Sequence, residues 1–223
     1  MKISINQPAY LPWLGYFQRI KSSDLFIFLD NVQFEKNSYV NRNRIKTPQG
    51  TLWLTVPLNQ KGHMEKELNS IEINDKNNWR SKHLKSIALN YSRTLLFQDR
   101  FARLSKFNES QISNIYIADL CWQQLNFWTK ELNINTPLIR ASEHKFEGRK
   151  SDLVLSICKY FQANEYISGI NGEDYLKRNE FVAEGINITL QNYNTKEYKQ
   201  LWGDFIPNLS IVDSWMNCKD IIF

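Results

Sequence analysis

The 223-residue chain is poor in cysteine, methionine and histidine, with three of each. Three cysteines are too few for a disulfide scaffold, and none has the CxxC spacing of a metal or redox motif. No apolar run approaches the roughly 20 residues of a membrane-spanning helix. Residues 1–8, Met-Lys-Ile-Ser-Ile-Asn-Gln-Pro, lack the apolar core and cleavage site of a signal peptide. From these absences we expect a cytoplasmic protein without a membrane span.

The composition is that of a globular domain with a mild excess of positive charge. Hydrophobic residues make up 42% and charged residues 23%, and the formal net charge is +5. Such values exclude a disordered tail, a coiled coil and a collagen-like fibre. The positive charge is not gathered into the stripe or patch typical of nucleic-acid-binding domains. The net positive charge is therefore compatible with an anionic partner, and we expect that the protein does not bind nucleic acid.

Common chemical motifs and domain linkers are also missing. No internal repeat, low-complexity segment or Pro/Gly/Ser-rich linker interrupts the chain, so residues 1–223 are predicted to form a single domain. The motifs GxSxG, HExxH and GxGxxG are absent. His63, His83 and His144 are scattered without the spacing of metal ligands. The sequence thus predicts no metal site and identifies no cofactor.

Hydrophobic patterning predicts alternating strands and helices. The short apolar run 25–29 is typical of a strand buried on both faces, and it follows a β-prone run at 2–5 and a helix from Leu14 to Ile20. Further strands are predicted at 51–58, 69–73, 137–140, 165–168 and 186–190, a polar loop at 59–68, and helices at 76–91, 99–107, 117–132, 151–161 and from about Glu173. This alternation indicates an α/β fold: a mostly parallel, Rossmann-like sheet flanked by helices.

Four loops follow predicted strands, at 7–12, 30–34, 141–150 and 168–174. In open α/β sheets, ligands bind beyond the carboxyl ends of the strands near a switch in strand order. We therefore expect one cleft to be lined by Gln7, Asp30, Ser168 and the 141–150 loop.

The first of these loops is rigid. Pro8 and Pro12 fix its backbone, and Pro12 is placed to begin the following helix. The loop is either a rigid turn in which Tyr10 and Trp13 are packing residues, or a loop that faces a ligand.

Residues 6–17 read Asn-Gln-Pro-Ala-Tyr-Leu-Pro-Trp-Leu-Gly-Tyr-Phe. They resemble the opening motif of the WbqC-like protein family, which runs roughly His-Gln-Pro-x-Tyr-Leu-Pro-Trp-Leu-Gly-Tyr-Phe. The resemblance covers nearly the whole chain, through 23–24, 29–34, 41–46, 53–57, Trp79 with 82–83, 166–169, 205–210, Asp213 and 217–218.

The resemblance implies an association with bacterial surface-polysaccharide (O-antigen) gene sets and a transferase role, without an established mechanism. The histidine of the family motif is Asn6 in this sequence. An amide exchanges no proton near neutral pH, so a general acid or base at this position would be lost. If that residue only hydrogen-bonds a ligand, Asn6 can replace it.

The layout of strand, proline-containing loop and helix start also resembles the nucleotidyltransferase superfamily with an HxGH motif. This chain has Trp13-Leu14-Gly15-Tyr16 in that place and neither histidine. The analogy therefore concerns the fold rather than nucleotidyl transfer.

Residues 36–50 contain four cations and no acidic residue: Lys36, Arg42, Arg44 and Lys46. In an extended chain Arg42 and Arg44 share one face, alternating with Asn41 and Asn43. Because arginine binds phosphate through two parallel hydrogen bonds, the segment suits a nucleotide-sugar or undecaprenyl-type diphosphate. The alternative is a solvated loop.

Two further loops have open interpretations. Residues 168–174, Ser-Gly-Ile-Asn-Gly-Glu-Asp, contain glycines that permit a tight turn around a ligand, and Asp174 suits a sugar hydroxyl. The alternative is an ordinary connection. Residues 148–151, Gly-Arg-Lys-Ser, resemble the end of a P-loop but lack its first glycine, which favours Ser151 as a helix N-cap.

The candidate catalytic residues are His83, as acid or base, and Asp30, which is either a catalytic carboxylate or a structural cap. Cys158 lies on an inward helix face and is interpreted as a core residue. The candidate ligand-binding residues lie at strand ends or in family-like segments: Asn6, Gln7, Tyr10, Trp13, Gln33, Arg42, Asn43, Arg44, Lys46, Ser168, Gly169 and Asp174.

Two functions are compatible with these residues. The first is a cytoplasmic enzyme that transfers an acyl, aminoacyl or related group to a sugar nucleotide during surface-glycan assembly. The second is a non-catalytic protein that binds a sugar nucleotide or glycan, or serves as a scaffold, and Asn6 in place of histidine favours it. Both predict an anionic small-molecule ligand such as a sugar nucleotide, and both leave a homo-oligomer open.

Overall fold

A computed structural model describes residues 1–35, 38–59, 66–111 and 115–223. Lys36, His63 and residues 60–65 of the predicted polar loop lie outside these ranges. The strands are β1 Lys2–Asn6, β2 Leu25–Phe28, β3 Arg42–Thr47, β4 Gly50–Thr55, β5 Leu138–Arg140, β6 Glu165–Ser168 and β7 Asn187–Leu190. The helices are α1 Leu14–Lys21, α2 Trp79–Tyr91, α3 Phe97–Ser110, α4 Ile117–Glu131, α5 Ser151–Tyr160, α6 Arg178–Ala183 and α7 Ile211–Asn217.

Five parallel strands form the main sheet in the order β5-β2-β1-β6-β7. This arrangement confirms the predicted α/β fold. The order changes direction at β1, because β2 pairs with one edge of β1 and β6 with the other. The carboxyl ends of β1 and β6 therefore flank the position at which such sheets bind ligands.

The sheet separates two apolar cores. Strand β2 is buried on both faces, as its sequence predicts. Phe26 and Phe28 pack in the core that contains side chains of α1, α2, α4 and α7, whereas Leu25 and Ile27 pack against α5 and α6. This alternation is the two-residue period of a strand with helices on both sides.

Strands β3 and β4 form a separate antiparallel hairpin, in which Arg44 pairs with Trp53. The hairpin contains the basic segment, and β4 ends at Thr55 rather than at residue 58 as predicted. Because Pro57 has no N–H to donate, it is poorly suited to extending the ladder.

Two element predictions are wrong. Residues Leu68–Ser70 form a short 3-10 turn, and Ile73 makes only an isolated bridge with Leu58. The apolar alternation that predicted a strand at 69–73 instead anchors a loop, since Ile71 is fully buried. No helix begins near Glu173, because Ile170–Asp174 is also a 3-10 turn and α6 starts at Arg178.

None of the helices in the described ranges has the length and apolar character needed to cross a membrane.

Candidate ligand-binding site

A cleft of about 520 Å³ opens beside the carboxyl ends of β1 and β6. Four segments form most of its wall: the end of β1, the start of the helix α1 with Trp13, residues 168–172 from the last residue of β6 onward, and residues 191–194 after β7. Its volume lies in the usual range for small-molecule pockets. The main sheet therefore presents a cavity at the position expected from its strand order.

Amide side chains and aromatic rings dominate the lining of this cleft. Six asparagine and glutamine residues line it: Asn6, Asn171, Gln191, Asn192, Asn194 and Asn208. The Asn6 side-chain amide makes no hydrogen bond to any residue that the structure describes. Its N–H and C=O groups are thus available to a ligand, as the polar groups of a binding pocket must be.

Arg19, in the last turn of α1, is the one charged residue among the described residues that line the cleft. It is only 7% exposed, and its Nε atom is buried without a hydrogen-bond partner. Its Nη1 atom lies 2.7 Å from the position that a Cβ atom on Gly169 would occupy. Within the described residues, the guanidinium makes no hydrogen bond or ion pair.

Burial is the largest influence on the pKa of the Arg19 guanidinium. It lowers the pKa of Arg19, and the hydroxyl groups of Tyr166, Tyr16 and Tyr175 partly oppose that effect. An arginine side chain nevertheless keeps its proton in a protein, so the site holds a desolvated positive charge. Such a charge is costly to bury unless an anion balances it.

Tyr10 and His83 form a separate buried pair. The Tyr10 hydroxyl and His83 Nδ1 are 2.8 Å apart, and Trp79 packs against both rings. Burial lowers the pKa of His83 to about 4, although a hydrogen bond with the Thr55 backbone acts in the opposite direction. The imidazole is therefore neutral at pH 7. Neither Tyr10 nor His83 belongs to the cleft lining.

Asp30 is fully buried, and two residues donate to its carboxylate. Ser142 donates to it from its backbone N–H (2.9 Å) and its hydroxyl (2.8 Å), and Arg140 from Nε (2.8 Å) and Nη2 (2.7 Å). Arg140 also reaches Asp119 at 2.7 Å. This network ties the end of β2 to the end of β5.

The WbqC-like protein family model matches residues 7–221 of the chain. The chain belongs to the WbqC-like protein family. A relative from Mycobacterium tuberculosis, described as uncharacterized protein Rv1507c, is 34% identical over 218 residues, which cover 97% of this chain and 93% of the relative. No solved structure matches the chain.

The polar residues of the basic hairpin in this WbqC-like protein lie in two environments, beside the Trp53 ring or buried within the protein. The guanidinium carbons of Arg42 and Arg44 lie 4.5 and 5.5 Å from the centroid of the Trp53 ring. Asn43 and Lys46 are buried instead. Asn43 Nδ2 donates to the Leu11 carbonyl at 2.7 Å.

Lys46 holds the C-terminal part of the chain against the hairpin. Its Nζ atom donates to Gln200 Oε1 at 2.9 Å, to the Gly203 carbonyl at 3.2 Å and to the Asp204 carbonyl. These contacts pair the Lys46 ammonium with one side-chain oxygen and two backbone carbonyls of the protein itself.

The cleft brings together four of the predicted ligand-binding residues of this WbqC-like protein: Asn6, Trp13, Ser168 and Gly169. The structure does not bring Gln7, Asp30 or the 141–150 loop to the same wall. Gln33 is exposed beside Glu67, with which it forms an isolated bridge, and Asp174 is exposed in the 3-10 turn. The cleft thus contains fewer of the strand-end loops than the sequence predicted.

Sequence reasoning missed Arg19. A basic residue in the last turn of a helix is common because it complements the helix dipole, so its residue type carried no signal. The spacing of Arg19 from the family motif was the usable signal. Gly15 of that motif and Arg19 lie four residues apart and therefore share a helix face. Both residues line the cleft.

No cluster of three or more His, Cys, Asp or Glu side chains suited to a metal ion occurs within the described ranges.

Proposed function

We propose that this WbqC-like protein binds a phosphorylated sugar of the sugar-nucleotide class in the cleft beside β1 and β6, as part of bacterial surface-glycan assembly. The buried Arg19 guanidinium is the observation that carries this proposal. It lines the cleft and, among the residues that the structure describes, it has no protein partner and faces no carboxylate of the lining. A phosphate group would balance its charge and accept two parallel hydrogen bonds.

The remaining lining supports the sugar part of the ligand. Amide side chains supply both donors and acceptors, which match hydroxyl groups that also donate and accept. Trp13 and Tyr39 add flat apolar surface to the lining of the same cleft. A neutral, amide-rich wall around one cation suits a polar ligand with one anionic group or diphosphate.

The lining favours binding over acid–base chemistry by the protein. No histidine or carboxylate is found among the described residues of the wall, and Asn6 occupies the position of the family histidine. Transfer of an acyl or aminoacyl group in this cleft would depend on orientation of the substrates and on stabilisation of negative charge by Arg19.

The test is replacement of Arg19 by Met, measured by titration calorimetry with UDP-glucose and UDP-N-acetylglucosamine. Since a hydrogen bond to a charged group contributes about 1.5–3 kcal/mol, loss of a bidentate contact should weaken binding by about 100-fold or more. The matched control is Lys21→Met, which removes an exposed cation from the same helix. Lys21→Met should bind like the original protein.

Thermal unfolding of the free proteins separates a ligand-binding role from a structural one. Removing an unpaired buried charge should leave the melting temperature of Arg19→Met unchanged or raise it. Unchanged affinity in Arg19→Met, or absence of binding by the original protein, would contradict the proposal. Product analysis after incubation with acyl donors then decides whether binding leads to transfer.

A further inference from the structure

Three aromatic rings form a continuous path out of the cleft and onto the hairpin. The ring centroids of Trp13 and Tyr39 are 5.2 Å apart, and those of Tyr39 and Trp53 are 6.0 Å apart. Trp13 and Tyr39 line the cleft, whereas Trp53 lies beyond it on β4. We name these three residues the aromatic ladder.

The outer rings of the aromatic ladder are unusually open to solvent for their size. Tyr39 is 38% exposed and Trp53 is 41% exposed. Large rings that remain exposed next to a binding cleft provide flat apolar faces on which another ring can stack. The position of these faces, rather than exposure alone, links them to the ligand.

Two cations hold Trp53 in place. The guanidinium groups of Arg42 and Arg44 both lie within 6 Å of its ring, a distance typical of cation–π contacts. Arg44 is also the cross-strand neighbour of Trp53. The ring is therefore ordered before a ligand arrives, and positive charge lies beside the path that a phosphate-containing ligand would follow.

We propose that the aromatic ladder binds the nucleobase of a nucleoside diphosphate sugar, which stacks on Tyr39 and Trp53 while Arg19 binds the phosphates. This inference rests on the proposed function. Planar rings and guanidinium groups are the common stacking partners of nucleobases. The amides that suit sugar hydroxyls line the cleft, whereas the aromatic ladder continues from the cleft onto the hairpin, so we place the sugar in the cleft and the base on the ladder.

The test compares ligands with and without a base on two variants of the full chain. Trp53→Ala should weaken binding of UDP and ADP by about 5- to 150-fold, since stacking contributes about 1–3 kcal/mol per base. Its affinity for inorganic pyrophosphate should not change. Trp53→Phe, which keeps an aromatic face, should retain most of the affinity for UDP.

Leu52→Ala is the matched control, because Leu52 is 40% exposed and adjacent to Trp53 on the opposite face of the strand. It should bind UDP like the original protein. Tyr39→Ala provides a second ladder variant if Trp53→Ala does not fold, and circular dichroism establishes which variants are folded.

The possible results separate this inference from the function on which it rests. Unchanged UDP affinity in folded Trp53→Ala and Tyr39→Ala, together with lost affinity in Arg19→Met, overturns the ladder assignment alone. An equal loss of glucose 1-phosphate binding in Trp53→Ala would show that sugar rings stack there, which also overturns it. If the original protein binds neither UDP nor pyrophosphate, both proposals are wrong.

Discussion

Arg19 and His83 illustrate two ways in which a buried ionisable side chain can be accommodated. His83 adopts its neutral form, and a tyrosine hydroxyl and a backbone group satisfy its ring nitrogens. Arg19 cannot lose its proton at physiological pH, and no partner balances it within the described residues. The first arrangement is complete within the protein, whereas we propose that a ligand completes the second.

The buried His83 predicts a pH-dependent stability. Its folded pKa of about 4 is below the unfolded value of 6.5, so its stabilising effect is present above pH 6.5 and is lost as the pH falls toward 4. At about 1.4 kcal/mol per pKa unit, the loss reaches about 3 kcal/mol. Urea unfolding between pH 7 and 4 should show a correspondingly smaller decrease in His83→Asn.

The matched control is His144→Asn, at a less buried histidine that contacts Phe146 and Tyr160. This variant should lose stability with falling pH as the original protein does. Parallel curves for the original protein and His83→Asn would contradict the prediction.

At the scale of elements, Gly169 leaves room for the Arg19 side chain of α1 beside the end of β6. This residue joins β6 to the following 3-10 turn, and its backbone φ of −68° is accessible to any residue. An added Cβ would nevertheless lie 2.7 Å from Arg19 Nη1. The glycine is required by the neighbouring guanidinium rather than by its own backbone.

Gly169→Ala should therefore displace the Arg19 side chain while leaving the fold intact. We expect UDP affinity to fall by about tenfold or more, corresponding to about 1.4 kcal/mol. The informative comparison is a double-mutant cycle, because Gly169→Ala should have no further effect in the Arg19→Met background. Additive losses of affinity would show that the glycine acts independently of Arg19.

At the scale of the whole molecule, Asp213 connects the C-terminal helix to the rest of the fold. It is fully buried in α7 and accepts hydrogen bonds from Tyr91 of α2 at 2.7 Å and from Tyr198 at 2.8 Å. The backbone N–H of Lys46 in β3 donates to the Tyr91 hydroxyl at 3.0 Å. One polar network thus joins the hairpin, α2 and the C-terminal segment.

Removing either hydroxyl donor should lower the free energy of unfolding. Tyr91→Phe or Tyr198→Phe should each cost about 1.5–3 kcal/mol, because the acceptor is a buried acidic group. The control is Tyr160→Phe, at a ring that is 57% exposed. Urea midpoints equal to that of Tyr160→Phe would show that the network contributes little.

The local sequence pattern was sufficient to predict those elements whose burial follows from the spacing of neighbouring apolar residues. The apolar run of β2 and the helical stripe of α4, Ile117 to Leu132, are buried as predicted, and β6 has the predicted bounds. The opening motif likewise predicted the family that the comparison confirms. The strand and the helix could be predicted from the spacing of apolar residues, with a period of two or 3.6 residues, and the family from a run of residues identical to its motif.

The environment of each polar residue was decided by tertiary structure. Helix α7 was not predicted, and the hairpin partner that turns Arg44 toward Trp53 is set by strand pairing. Arg19 is an ordinary basic residue at a helix end until Gly169, distant in sequence, brings β6 against it. The amino-acid sequence therefore determined the α/β layout and the family, whereas the folded chain decided that the Arg19 guanidinium is buried in the cleft without a partner among the described residues, because desolvation depends on contacts distant in sequence.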